Sequence, residues 1–355
     1  MDSQQFHSQH HSVNLAVNYC LLYYDIKLST FPYQCNLYRL RAYVSLRMKP
    51  IRLRDFVMTE DGCLYAVSGY ENEERAECVL RYVPTEDGDR LSPWGVRYKK
   101  YDFADAFAWV KEHKPEYLDL VHRVPLADIV KVLKPEEQAP FIAERDPRVA
   151  RLFSHFDLPA GTYGCTGSLV AGLECGTSDI DMVVYGSAWF TAREQLMKAV
   201  ADGKIPSMSE EMWQKVYKKR QPDISFDDFV LHESRKFNRG EFEGTYFDLL
   251  YSRGYDNLHS VPPITLGEKT GMMTIEAKVT DASLAFDSPG IYKVDHEEID
   301  MVLSFTHTYC GQCFTGETLE AKGVVEEHGD QKWLIVGTTR EAHGEYIVSR
   351  TLLDA

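Results

Sequence analysis

The chain has 355 residues, 44% of them hydrophobic and 26% charged, and no apolar run approaches the roughly 18 residues of a membrane helix. That length exceeds one compact domain and predicts two or three units, each with its own core. A net charge of −15, spread along the sequence, argues against broad binding to duplex DNA and leaves room only for a local basic groove.

Residues 1–47 differ from the rest. They hold two acids, Asp2 and Asp25, against four bases, so residues 48–355 carry −17. Their lack of periodicity and caps predicts a poorly ordered extension, with Met48 as the expected true start. Val13 to Tyr24 has no basic flank or cleavage site and is not read as a signal. The eight cysteines are scattered, without the density of a disulfide scaffold, which predicts reduced thiols and a cytoplasmic protein.

Short strands are expected at Phe56 to Met58, Cys63 to Tyr70 and Ala76 to Pro84, the first two joined by Glu60-Asp61-Gly62. Apolar residues at helical spacing predict helices over Phe103 to His113 and Leu126 to Leu133. This unit, residues 48–140, reads as a small α+β domain whose motifs carry no chemistry. Pro135, Pro140 and Pro147 mark a boundary, and Asp146-Pro147 opens a helix to Phe156. A second unit, residues 141–261, holds a strand, a turn, a short helix Leu169 to Leu173 and a strand ending at Tyr185. Helices at Phe190 to Ala201 and Ser209 to Lys219 and a strand at Thr245 to Tyr251 follow. From residue 262 to 355 six strands alternate, which predicts a small antiparallel β-barrel.

Gly167-Ser168 is followed, after ten intervening residues, by Asp179-Ile180-Asp181-Met182. On a strand both acids point one way with Ile180 and Met182 behind them. Two like charges so close need a neutralising cation, and oxygen-ligated Mg²⁺ bound with substrate phosphates supplies one. Gly167 lets a phosphate approach the backbone, Ser168 offers a hydroxyl, and the amides that open the next helix form an anion cradle.

The combination resembles the DNA polymerase β superfamily of nucleotidyltransferases, in which a Gly-Ser precedes an acid-hydrophobic-acid-hydrophobic strand and a third acid arrives on a later strand. The third acid here is Asp248, set in the apolar run Tyr246-Phe247-Asp248-Leu249-Leu250, the alternative being an acid paired with Arg253. The resemblance covers residues 145 to 260, and Met48 to the end resembles archaeal predicted nucleotidyltransferases. Thr166, where the pattern prefers an apolar residue, departs from it.

The resemblance implies a polymerase β-like domain between the N-terminal α+β domain and an oligonucleotide-binding-like barrel. It implies transfer of a nucleoside monophosphate from an NTP such as ATP to a hydroxyl, with pyrophosphate release and two Mg²⁺ ions, or Mn²⁺ in their place, on Asp179, Asp181 and Asp248. Asp248 is the alternative base. RNA, a protein or a small molecule would be the acceptor. A non-catalytic nucleic-acid-binding or scaffold protein on the same fold is the competing reading.

Lys215, Lys218, Lys219 and Arg220 read as a solvated helix face, and Lys236 and Arg239 as phosphate ligands. His307, Cys310 and Cys313 have the spacing of half a zinc site, but the missing second pair argues against zinc. Tyr292, Phe305, Tyr309 and Phe314 either stack bases or fill the barrel.

Overall fold

At Glu60-Asp61-Gly62 the chain reverses with Gly62 at φ +80°, and the flanking strands β1 (Phe56–Thr59) and β2 (Leu64–Val67) pair antiparallel. The computed structural model describes residues 49–259, 261, 264–339 and 341–355, of which those from Ile51 to Ala355 form one unit. The extension 1–47 and the start at Met48 lie outside the described residues.

The first sheet adds β3 (Arg75–Pro84), β4 (Arg90–Leu91), β5 (Arg97–Lys100), β6 (His122–Pro125) and β7 (Ile129–Leu133). Its order is β4-β5-β3-β2-β1-β7, with β6 also on β3. Helix α1 (Phe103–His113) starts where the Asp102 carboxylate accepts from Asp105 N and turns Ala106 and Val110 inward.

One expectation gives way nearby. Leu126 to Leu133 is not a helix: a 3₁₀ turn at Leu126–Asp128 leads into β7, whose β-branched Ile129, Val130 and Val132 join the edge of β1. Pro135, Pro140 and Pro147 all lie within helices. Pro135 suits the first turn of α2 (Pro135–Arg145), which continues through Pro140 at the loss of one backbone bond while Ala139 and Ile142 reach the core. Asp146 then caps α3 (Pro147–Phe153) by accepting from Arg148 N.

The second sheet contains β8 (Tyr163–Cys165), β9 (Ile180–Tyr185), β10 (Arg239–Phe242) and β11 (Thr245–Ser252). Its order is β10-β11-β9-β8, with only β11 and β9 parallel. Between these strands run α4 (Gly167–Ala171), α5 (Ser187–Ala201), α6 (Glu210–Arg220) and α7 (Phe226–Lys236). Ile180, Met182, Phe247 and Leu249 pack under α2, α3 and α5, and buried Trp189 of α5 donates its Nε1–H to the Leu249 carbonyl (3.1 Å). One face of β9 and β11 is thus sealed, and the other carries Asp181 and Asp248 beside a small buried cluster of Val183, Tyr185 and Leu250.

The third sheet contains β12 (Glu268–Leu284), β13 (Gly290–Asp295), β14 (Met301–Ser304), β15 (Thr318–His328), β16 (Gln331–Val336) and β17 (Tyr346–Ser349), before the short α8 (Arg350–Leu353). Neighbours follow the order β12-β13-β14-β16-β15-β17, and β12 pairs with β15 as well. The architecture is mixed α+β with three sheets. Among the described residues no helix is long and apolar enough to cross a membrane.

Candidate functional site

With Ile180 and Met182 in the core, alternation turns Asp181 to the open side of β9. Parallel pairing then sets Asp181 directly opposite Asp248 of β11, and antiparallel pairing sets Asp248 opposite Arg239 of β10. Two acids and an arginine therefore form a row across three strands. Asp179, one residue before β9, is half exposed and its Oδ2 lies 3.4 Å from Lys219 Nζ of α6.

Gly167 touches this row. Its φ is +67°, and an added Cβ would stand 2.5 Å from Asp181 Oδ2. The Thr166 N–H donates to the Asp181 carbonyl (2.9 Å), and Thr166 Oγ1 donates to the Arg54 carbonyl (2.6 Å). A hydroxyl at position 166 thus anchors the loop from outside the sheet, which accounts for the departure from an apolar residue. We expect Gly167→Ala to cost about 1–3 kcal/mol. Gly161, at φ +82° with open space around it, is the control: Gly161→Ala should bear the backbone cost alone. Equal losses in thermal unfolding would show that the contact with Asp181 is immaterial.

The charges of the acids differ. Burial, then Asp248 and Asp179, push the Asp181 carboxyl up to about 6 against the pull of Arg54 and Lys219. Burial also penalises ionised Asp248, but Arg239, His307 and Arg220 outweigh it and hold that carboxyl well below the usual range. Tyr246 Oη donates to Asp248 Oδ1 (2.8 Å), and Arg220, His307 and Arg239 stand 3.8, 3.7 and 3.9 Å from its oxygens. A carboxylate held so firmly ionised is a weak proton acceptor.

Lys236 and Arg239, the expected phosphate ligands, turn inward. Both are buried around Glu233: Lys236 Nζ pairs with it and donates to the Thr308 carbonyl (2.8 Å), while Arg239 Nε lies 2.9 Å from its carboxylate. Arg253 pairs with Asp287 at 2.8 Å rather than with Asp248. The basic end of α6 is not simply solvated either. Lys219 and Arg220 reach Asp179 and Asp248, and Lys215 lines a small cavity with Asp179 and Tyr246.

His307 and the two cysteines face different partners. His307 Nε2 turns to Asp248, whereas Cys310 Sγ donates to the Asp287 and Thr306 carbonyls (3.4 and 3.5 Å) and Cys313 is buried in the third-sheet core. Tyr292 and Tyr309 belong to that core, Phe314 lies under the Arg235 guanidinium (4.5 Å), and Phe305 is exposed.

A cleft of about 180 Å³ opens beside the acids. Gly167, Ser168, Asp179 and Asp181 line it together with Arg81 of β3, Arg90 of β4 and Lys100 of β5, and Arg90 Nη1 reaches the Leu173 carbonyl (3.5 Å). The sequence reading missed these three cations, because nothing local to the first sheet ties them to residues eighty positions on.

The comparisons bear on descent rather than chemistry. No family model matches the chain, and no solved structure matches it. The uncharacterised protein MJ1086 of Methanocaldococcus jannaschii is 35% identical over 334 residues, 84% of this chain and 98% of that protein. The chain belongs to the MJ1086 family. That name states no activity, so the chemistry of the site rests on its geometry.

Among the described residues no three His, Cys, Asp or Glu side chains are grouped as a metal site. Individual donors nonetheless suit a hard divalent cation: Asp179 and Asp181 offer only oxygens, and the space a Cβ would fill at Gly167 lies against Asp181 Oδ2. The carboxylates that push Asp181 up mark a concentration of negative charge that such a cation would relieve.

Proposed function

We propose that this chain is a metal-dependent nucleotidyltransferase of the DNA polymerase β superfamily, moving a nucleoside monophosphate from an NTP to a hydroxyl acceptor. The observation that carries the reading is the register of Asp181 with Asp248 on parallel strands, with Gly167 in contact with Asp181. Asp179, Asp181 and Asp248 would hold Mg²⁺, which when bound neutralises the carboxylates and the phosphates.

The chain's own residues do the positioning. Gly167 leaves room at Asp181, and Ser168 presents its hydroxyl to the cleft. Arg239 and Tyr246 fix the Asp248 carboxylate in its ionised form. The acceptor oxygen attacks the α-phosphorus, the bond to the bridging oxygen of the β-phosphate breaks, pyrophosphate leaves, and the hydroxyl proton passes to solvent.

The non-catalytic reading has one observation in its favour: Lys219 already pairs with Asp179, and Arg220 with Asp248. Each triphosphate, labelled in turn at the α and γ positions, should be incubated with the protein, Mg²⁺ or Mn²⁺, and total cellular RNA. Metal-dependent incorporation of the α label alone, into RNA or the protein itself, is the expected result. Absence of both pyrophosphate release and incorporation with all four NTPs would favour the scaffold.

We read the third sheet as a small barrel of the oligonucleotide-binding type. In support, pairings run in a ring through β12, β13, β14, β16 and β15, with β14 and β16 parallel. The six described cysteines are free thiols, which supports a reducing, cytoplasmic setting.

A further inference from the structure

We propose that the first sheet supplies the polyphosphate subsite: Arg81, Arg90 and Lys100 hold the β- and γ-phosphates of a nucleoside triphosphate whose α-phosphorus lies at Asp179 and Asp181. The inference takes the identity of the ligand from the nucleotidyltransferase reading. The anion site itself stands on the cleft.

Three strands that neighbour one another in the order β4-β5-β3 bring the three cations into the cleft. They gather in a chain whose net charge is −15, in a cleft that Asp179 and Asp181 also line. Lys100 belongs to none of the ion pairs among the described residues. Its side chain is solvent-exposed, and partial desolvation at the cleft and then the neighbouring guanidinia of Arg81 and Arg90 pull its ammonium below the ordinary lysine range. Arg90 also holds Asp89 at 3.1 Å and Arg81 has contacts of its own, so what the cleft offers an anion is the convergence of three cations beside the acids that would hold a cation.

The lower rim is built for the same task. Gly176, Thr177 and Ser178 make the turn between Ser168 and the acids, and Arg148 Nη1 fixes it by donating to the Gly176 and Ser178 carbonyls (3.2 and 3.4 Å). Thr177 and Ser178 line the cleft with Ser168, so hydroxyl donors complete a site whose charge comes from a different sheet. Phosphates alternating with bridging oxygens match a row of cations better than one phosphate does.

The test is binding of inorganic tripolyphosphate to the full chain by isothermal titration calorimetry, without metal and at low salt. Tripolyphosphate should bind more tightly than orthophosphate, and R81Q/K100Q should weaken it about 100-fold, two charge-assisted contacts being lost. K278Q, at an exposed lysine of β12, should bind as wild type. No binding by the wild type, or equal binding by R81Q/K100Q, overturns the subsite. If the double variant unfolds, R90Q and K100Q decide singly: about tenfold weakening by each supports it, and unchanged affinity overturns it. Tripolyphosphate binding through these residues without Mg²⁺-dependent transfer would sink the nucleotidyltransferase reading alone. Transfer with an unchanged KM for the triphosphate in R81Q/K100Q would sink the subsite alone.

Discussion

Asp181→Asn is expected to abolish metal-dependent transfer and, at the same time, to make the metal-free protein more stable above pH 6. The carboxyl is pushed up to about 6 by burial and by Asp248 and Asp179, from an ordinary 3.8. Because the folded value is the higher one, the folded state holds this proton more tightly than the unfolded chain does. The resulting stability is complete below pH 3.8 and is lost as pH rises through about 6. At pH 8 the folded protein carries the whole penalty of ionised Asp181, roughly 3 kcal/mol at about 1.4 kcal/mol per pH unit, less whatever solvent screening reaches this half-buried group. Asn keeps the shape and removes the charge.

Asp55 is also pushed up to about 6, by burial against the pull of Lys134 and Arg52, so the wild-type pH profile mixes two acids. Their contributions separate in the difference between wild type and D181N, since Asp55 is common to both. Thermal unfolding from pH 5 to 8 should show D181N ahead by several degrees at pH 8 and the two converging towards pH 5. Mg²⁺ should raise the wild-type midpoint above pH 6 and leave D181N unmoved, since a ligand stabilises only the form that binds it. Asp179→Asn should abolish transfer with little gain in stability, because Asp179 is half exposed and beside Lys219. D181N with full activity, or less stable than wild type at pH 8, would refute both the charge state and the role.

What could be read from the sequence was whatever depends on neighbours in the chain. Gly167, Ser168, Asp179 and Asp181 lie within fifteen residues, and strand alternation alone puts the second acid opposite the core. Asp248 was legible because an acid inside Tyr246–Leu250 breaks an apolar strand. Ser209 and Asp146 announced their helices as caps, and the structure begins α6 and α3 at both. Helix α7 was overlooked although Ser225, whose hydroxyl accepts from Asp228 N, marks its start. Its inward face carries His232, Glu233 and Lys236 beside Phe229, so the apolar period is broken by buried charge.

Residues whose role depends on sheets meeting were not legible. Arg81 and Lys100 look like ordinary solvated strand residues until the first sheet is placed beside β9. Lys236 and Arg239 misled in the opposite sense: a basic run suggests phosphate, and only folding shows that both are closed off around Glu233. The available signal was Glu233 itself, three residues before Lys236 and so on the same helical face.

That buried group yields the other large effect. Glu233→Ala should destabilise the protein by about 3–5 kcal/mol, the cost of leaving buried cations without their counter-charge. Lys236 and Arg239 are both about fully buried, and the Glu233 carboxylate is shared between them. Lys236, already pulled down to about 8 by burial, would shed its proton more readily once Glu233 is gone. Arg239 cannot do so, and would be left with Tyr246 Oη (3.1 Å), Asn238 Oδ1 (3.5 Å) and the Asp248 carboxylate (3.9 Å) as partners. Urea unfolding of E233A with an unchanged slope and a lower midpoint is the expected result. Arg239→Met reaches the site from the same network, since Arg239 is the foremost group keeping Asp248 ionised. Its loss should raise the Asp248 carboxyl, with His307 and Arg220 left to hold it down, so that, as pH falls, Mg²⁺ binding weakens at a higher pH than in the wild type. An R239M protein that binds Mg²⁺ with the wild-type pH dependence would mean that the arginine stabilises the fold without tuning the acid beside it.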